Sequence, residues 1–223
     1  MTASPSDREP PRIGVPSGQP AGDGPAARVR APMLVLASTS RYRRELLARL
    51  GLAFEVVAPH VDEDPLPGES PAAMAARLAL EKARAIASQR PDAIVIGSDQ
   101  TATLDGSAVI GKPGTHERAV AQLRAASGRA MRYHTAVAVV RAGAGFERVA
   151  TVQTLVRFRL LDDTRIEAYL AREPAYDCAG SAKCEGLGVA LLESIEGPDP
   201  TALIGLPLIE LSAALEAAGL PVL

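Results

Sequence analysis

A chain of 223 residues with 47% hydrophobic side chains can bury one substantial core or two small lobes, and with aromatics at 3% and no Trp that core must rest on Ala, Leu, Val and Ile. A net charge of −2 argues against a nucleic-acid partner held by bulk electrostatics. Cys178 and Cys184 lack metal-ligand spacing, and no stretch resembles a membrane span or a secretory leader, so reduced thiols, no membrane partner and a cytoplasmic protein are expected.

Residues 1–31 carry Pro5, Pro10, Pro11, Pro16, Pro20 and Pro25 with several glycines and no aromatic, which reads as a disordered tail ahead of one domain over 32–223. Met33–Ala37 is a short buried strand. It stops at Ser38, Thr39 and Ser40, and a helix over Ser40–Leu50 follows, closed by Gly51. Free N–H groups at that helix start, with Arg41, Arg43 and Arg44 beside them, make a candidate phosphate site. The same residues also suit a serine-capped helix with a solvated basic face. Phe54–Ala58 reads as a second strand, and an acidic loop from Pro59 to Glu69 holds Glu63. Ser70-Pro71 then opens a helix to about Ser88 that carries Lys82.

Ala93–Ser98 reads as a strand ending at Gly97, followed by a hairpin with Asp105-Gly106 as its turn. Asp99, just past that strand, can ligate a divalent cation or take a proton from water, or can serve as a turn residue. Lys112 sits in Gly111–Gly114 without a phosphate-loop pattern before it. Thr115 caps a helix to about Ala126, and long strands over Met131–Val140 and Phe146–Leu160 flank a turn at Gly143–Gly145. Asp163 or Thr164 caps a short helix to Arg172. A strand over Val189–Glu193 and a helix over about Leu206–Ala218, stopped by Gly219, complete the chain. This order implies an α/β fold with a mixed sheet. His60, His116 and His134 suit neither a metal cluster nor a nucleophile–base pair. Cationic groups with scattered carboxylates suit metal-assisted hydrolysis of a phosphoanhydride.

The segments LASTSRYRRELL, VDED, LALEKA, IGSDQ, GKP, SGRAMRYHT and EGLG…EGPDPTALIGLPL, taken in order, resemble the Maf family of nucleotide pyrophosphatases from about Met33 to Gly219. The resemblance implies a twisted mixed sheet with flanking helices, in two lobes around a cleft, like the inosine-triphosphate pyrophosphatases. It implies a nucleoside triphosphate substrate cut between the α and β phosphates with Mg2+ or Mn2+, and a homodimer is a candidate assembly. By the same resemblance Asp99 is the proton acceptor and Ser38, Arg43, Lys82 and Lys112 bind substrate. Glu63 and Asp99 hold the metal, and Tyr42, Gln100 and Glu185 read the base.

IGSDQ and CAGSAKCEG resemble the branch that acts on 7-methyl-GTP rather than the dTTP/UTP branch, whose catalytic Asp tends to be followed by Thr. A cationic 7-methylguanine can stack on Tyr42, and Glu185 can accept from its N–H groups. Arg41 stands where Pro is usual, Tyr42 where Trp is usual, His134 and Ala136 where Tyr and Gly are common, and Cys184 where Ser is usual. A dTTP/UTP pyrophosphatase and a non-catalytic nucleotide-binding regulator of cell division are the other readings.

Overall fold

The computed structural model describes Met1 and residues 32–223, so the tail expected over 1–31 lies almost wholly outside the described residues. Six strands form one sheet in the order β2-β1-β3-β4-β5-β6. β1 (Leu34–Ala37) pairs in parallel with β2 (Glu55–Val57) and with β3 (Ile94–Thr103). From β3 onward the ladder is antiparallel, through β4 (Ala130–Arg141), β5 (Phe146–Phe158) and β6 (Leu192–Glu196). This is the expected mixed sheet. Its parallel half arises because β1 connects onward through helices, and its antiparallel half because Gly145, at φ 62, allows the tight return from β4 to β5.

Five helices flank the sheet: α1 (Arg41–Ala48), α2 (Pro71–Ala87), α3 (His116–Ala126), α4 (Asp163–Arg172) and α5 (Leu208–Ala217). Ser40, Ser70 and Thr115 cap α1, α2 and α3 through their side-chain oxygens, as the sequence implies. On one face α2 lays Ala75, Ala79 and Ala83 against Val35, Val95 and Ala138. On the other, α1 and α5 bury Leu46, Leu47, Leu211 and Leu215 against Leu36, Ile94 and Ile96. A separate apolar cluster joins α3 and α4 to the far parts of β4 and β5 through Leu123, Met131, Phe158, Ile166 and Leu170. The long strands β3, β4 and β5 therefore run between two lobes, and the low aromatic content is met by Ala-against-backbone packing.

Several boundaries differ from the sequence reading. β3 does not end at Gly97 but continues to Thr103, because β4 supplies an antiparallel partner as far as Arg132↔Thr103. The Asp105-Gly106 hairpin reduces to one bridge, Ala102↔Ile110. Asp162, not Asp163 or Thr164, caps α4 by accepting from the Arg165 N–H at 2.7 Å. Residues Leu187–Leu191 form a 3-10 turn, which moves the last strand from the expected Val189–Glu193 to Leu192–Glu196. Pro207 delays the last helix to Leu208. Among the described residues no helix is long and apolar enough to cross a membrane.

Candidate active site

The parallel pairing of β1 with β3 stops at Ala37↔Gly97. Beyond it β1 turns into Ser38–Ser40 and α1, while β3 runs on, so the β3 edge from Asp99 loses its β1 neighbour and faces a cavity. Such crevices at the carboxyl ends of parallel strands are where open α/β sheets place ligands. The cavity holds about 610 Å³ and draws its lining from both lobes. Four cationic side chains, Arg41, Arg43, Lys82 and Lys112, face three carboxylates, Glu63, Asp99 and Asp177.

The period-two alternation of β3 sorts its side chains. Gly97, Asp99 and Thr101 face α2, and Ser98 and Gln100 face the turn around residues 201–205. A Cβ on Gly97 would lie 2.1 Å from the Ala79 carbonyl oxygen, so only glycine lets α2 approach this closely. That approach brings Lys82, itself buried, to the carboxylates. Its Nζ donates to Asp99 Oδ1 at 2.6 Å and pairs with Glu63 Oε1, also at 2.6 Å. Among the described residues Asp99 Oδ2 accepts no hydrogen bond, and Asp99 lines the cavity. Partial burial alone would raise the Glu63 pKa, but Lys82, with Lys112 and Arg43 behind it, holds the carboxyl below its ordinary value.

On the opposite wall, Arg43 donates from Nε to the Gly205 carbonyl at 3.0 Å and has no carboxylate within salt-bridge reach among the described residues. Burial lowers its pKa, against the pull of Asp99 and Glu63. A desolvated guanidinium with donors to spare is a receptor for an anion. Ser38, buried, accepts from the Ser40 N–H at 3.1 Å and so shapes the entry to α1. Lys112 is exposed at the rim. Gly205 is itself held in place. Asp199 accepts from the Thr201 and Ile209 N–H groups at 2.8 Å each, and Ser98 Oγ donates to Gly205 O at 3.0 Å.

The structure thus brings together Ser38, Tyr42, Arg43, Glu63, Lys82, Asp99, Gln100 and Lys112. Arg44 is exposed and outside the lining, so of the three arginines of α1 only Arg41 and Arg43 reach the cavity. Gln100 lines the cavity, yet its amide nitrogen is committed to Thr135 Oγ1 at 2.8 Å and to the carbonyls of Ala202 and Leu203 at 3.1 and 3.0 Å. Only its carbonyl oxygen is left for a ligand. Glu185 is exposed and does not line the cavity, and its Oε2 accepts from the Cys184 thiol at 3.5 Å. The acid that does line the cavity from that segment is Asp177, eight positions earlier, which the sequence reading passed over. Its one signal is its place three residues ahead of Gly180, where the glycines at 180, 186 and 188 mark a loop. Cys178 also lines the cavity, and burial pushes its thiol up to about 12, so it is neutral and not a nucleophile at neutral pH.

Among the described residues no three His, Cys, Asp or Glu side chains cluster as a ready metal cage. Two carboxylates converging on one point, with open space beside them, are the protein share of a Mg2+-type site that is completed by phosphate and water oxygens. Glu63 and Asp99 are two such carboxylates, but the oxygens that converge, Oε1 and Oδ1, do so on Lys82 Nζ at 2.6 Å each, so an ion would be held by the other oxygen of each.

A family model described as Maf-like protein matches residues 33–218. The chain is similar to a 7-methyl-GTP pyrophosphatase of Polaromonas, 61% identical over 83% of this chain and 84% of the relative. It is also similar to proteins of that name from Thiobacillus denitrificans, 58% identical over 86% of this chain and 96% of the relative, and from Xanthomonas axonopodis, 57% identical over 84% and 97%.

Proposed function

The chain belongs to the Maf-like protein family, and we propose that it is a nucleoside triphosphate pyrophosphatase that converts 7-methyl-GTP and water into 7-methyl-GMP and pyrophosphate. The observation that carries this reading is the Glu63–Lys82–Asp99 array across one cavity from a half-buried Arg43, which among the described residues has no carboxylate partner. Relatives named 7-methyl-GTP pyrophosphatase at 57–61% identity support the substrate. Asp99 Oδ2 accepts the proton of the attacking water, and Lys82 fixes the carboxylate through Oδ1. Arg43 and Lys112 hold phosphate oxygens, with Ser38 and the free N–H groups at the start of α1 below them. Glu63 and Asp99 would hold a Mg2+ or Mn2+ ion, which when bound offsets charge on the phosphates and on the leaving pyrophosphate. Tyr42 presents its ring to the base, and Gln100 offers its carbonyl oxygen. Free Cys178 and Cys184 support a reducing, cytoplasmic setting.

Purified protein with Mg2+ or Mn2+, assayed against 7-methyl-GTP, GTP, dTTP and UTP, tests the proposal. Release of pyrophosphate, fastest from 7-methyl-GTP, is expected. Release of orthophosphate would overturn the cleavage position, preference for dTTP or UTP would overturn the base, and binding without turnover would favour a regulator. Arg43→Ala is expected to raise KM about 10- to 100-fold, the equivalent of about 1.5–3 kcal/mol for hydrogen bonds to a charged group. Steady-state kinetics that leave KM unmoved would remove Arg43 from phosphate binding.

A further inference from the structure

The mouth of the cavity is bridged by a network that the phosphate chemistry does not use. The Tyr42 hydroxyl, from α1, donates to Asp177 Oδ2 at 3.0 Å. Lys183 Nζ, nearly buried, holds the other oxygen, Oδ1, at 2.9 Å and donates also to the Pro174 carbonyl at 3.2 Å. The Lys183 N–H donates to the Tyr169 hydroxyl at 3.0 Å, which ties this loop to α4. Arg41 completes the network. Its Nη2 donates to the Tyr42 hydroxyl oxygen at 2.7 Å and lies 3.5 Å from Asp177 Oδ2, and its guanidinium carbon sits 4.7 Å from the Tyr42 ring centroid. Tyr42, Asp177 and Arg41 all line the cavity.

We propose that Asp177 is a specificity-determining residue for a cationic purine base, acting by holding the Tyr42 ring across the cavity mouth and by placing a fixed negative charge beside it; this rests on the 7-methyl-GTP reading above. Three features support the assignment. A phenol that donates to a carboxylate gains electron density, and a more negative ring face attracts a cation more strongly. The face already accepts a cation, because Arg41 lies over it. The charge is also permanent. Burial alone would raise the Asp177 pKa, but the bonds from Lys183 and Tyr42 hold it below its ordinary value, so the carboxylate stays ionised.

The same geometry gives Arg41 the opposite effect. Arg41 carries the same sign of charge as a 7-methylguanine ring and occupies both partners that the ring would use, the Tyr42 face and Asp177. A neutral guanine has little to gain from either partner and loses less to Arg41. Selectivity for the charged base therefore rises with Asp177 and falls with Arg41.

The test is the ratio of Kd values for GMP and 7-methyl-GMP, measured by calorimetry, with the kcat/KM ratio for the triphosphates alongside. Asp177→Asn is expected to lower both ratios about tenfold, within the range of a cation–π contact and a neighbouring charge. Asp177→Glu, which keeps the charge, is expected to recover most of the loss. Arg41→Ala, at an exposed position, is expected to raise both ratios about threefold, and it decides the matter even if Asp177→Asn fails to fold. Equal loss for charged and neutral bases in Asp177→Asn, or an unchanged ratio in Arg41→Ala, overturns the proposal. So does a wild-type protein that binds the two monophosphates equally. Selective binding without any hydrolysis of 7-methyl-GTP would instead sink the pyrophosphatase reading and leave Asp177 in its role.

Discussion

Asp99→Asn is expected to lower kcat by about 10³-fold, within the range of a lost general base, while the protein still folds and still binds nucleotide. Asn matches Asp in shape but cannot take a proton from water and is a weaker ligand for a hard cation, so the substitution removes the proposed base and weakens the proposed metal site while leaving the fold intact. Lys82 keeps one carboxylate, Glu63, at 2.6 Å, so its buried ammonium is not left unpaired. Single-turnover kinetics with the chosen substrate, circular dichroism and a nucleotide-binding titration check the three parts separately. Retention of more than about a tenth of wild-type kcat would move the base function away from Asp99. Loss of binding together with turnover would give Asp99 a structural or metal-holding role only.

Gly97→Ala is expected to have the largest effect on stability of any single methyl addition near the site. The new Cβ would lie 2.1 Å from the Ala79 carbonyl oxygen and 2.7 Å from the Ala83 nitrogen. Both are backbone atoms of α2, so no side chain can swing aside and the helix itself must retreat. Overpacking of this kind costs about 1–3 kcal/mol, and more where backbone must move. For a domain of this size that is a fall in Tm of about 5–10 °C. The retreat also draws Lys82 from Asp99 and Glu63, and misplacement by about 1 Å is enough for a hundredfold loss of rate. Thermal unfolding and kcat, measured on the same preparation, are expected to fall together. A stable protein with lost activity would mean that α2 shifts without cost, and an unchanged protein would mean that α2 does not rest on Gly97 in solution.

Local chemistry made much of this fold legible. Ser40, Ser70 and Thr115 sit where a helix start needs an acceptor, and each caps the helix expected of it. The apolar runs Met33–Ala37 and Ala93–Ser98 read as strands, and the structure places buried strands at Leu34–Ala37 and from Ile94 onward, with Met33 exposed ahead of the first. The extent of β3 was not legible, because Asp99, Gln100 and Thr101 are poor local evidence of a strand. They stay extended because β4 offers a full antiparallel ladder beside them. Gly97 read as a strand terminus by its residue type, whereas its place opposite α2 gives it a packing role that no neighbour in sequence reveals.

The site divides in the same way. The resemblance of the motifs in order marked Ser38, Arg43, Glu63, Lys82, Asp99 and Lys112 together, and all six line one cavity. Loop conformation is where the expected and observed linings part. Gly180, at φ 76, lies so close to Tyr133 and Met131 that a Cβ would meet the Tyr133 hydroxyl at 2.4 Å. On either side of that turn, Asp177 lines the cavity and Glu185 is exposed outside it. Gln100, a base reader by the resemblance, spends its amide nitrogen on Thr135 and on the turn at Ala202–Leu203.

By itself the sequence pointed to phosphoanhydride hydrolysis through the kinds of charged side chain, to the cleavage position and substrate through the resemblance of its motifs, and to the mixed α/β architecture through apolar periodicity and helix caps. These depend on residue type and on neighbours within a few positions. Only the tertiary structure decided which atoms are free to act. Whether an amide, a carboxylate or a guanidinium can reach a ligand depends on which partner far along the chain already holds it, as Lys82 holds Asp99 Oδ1 and leaves Oδ2 open, and as Arg41 and Asp177 share Tyr42.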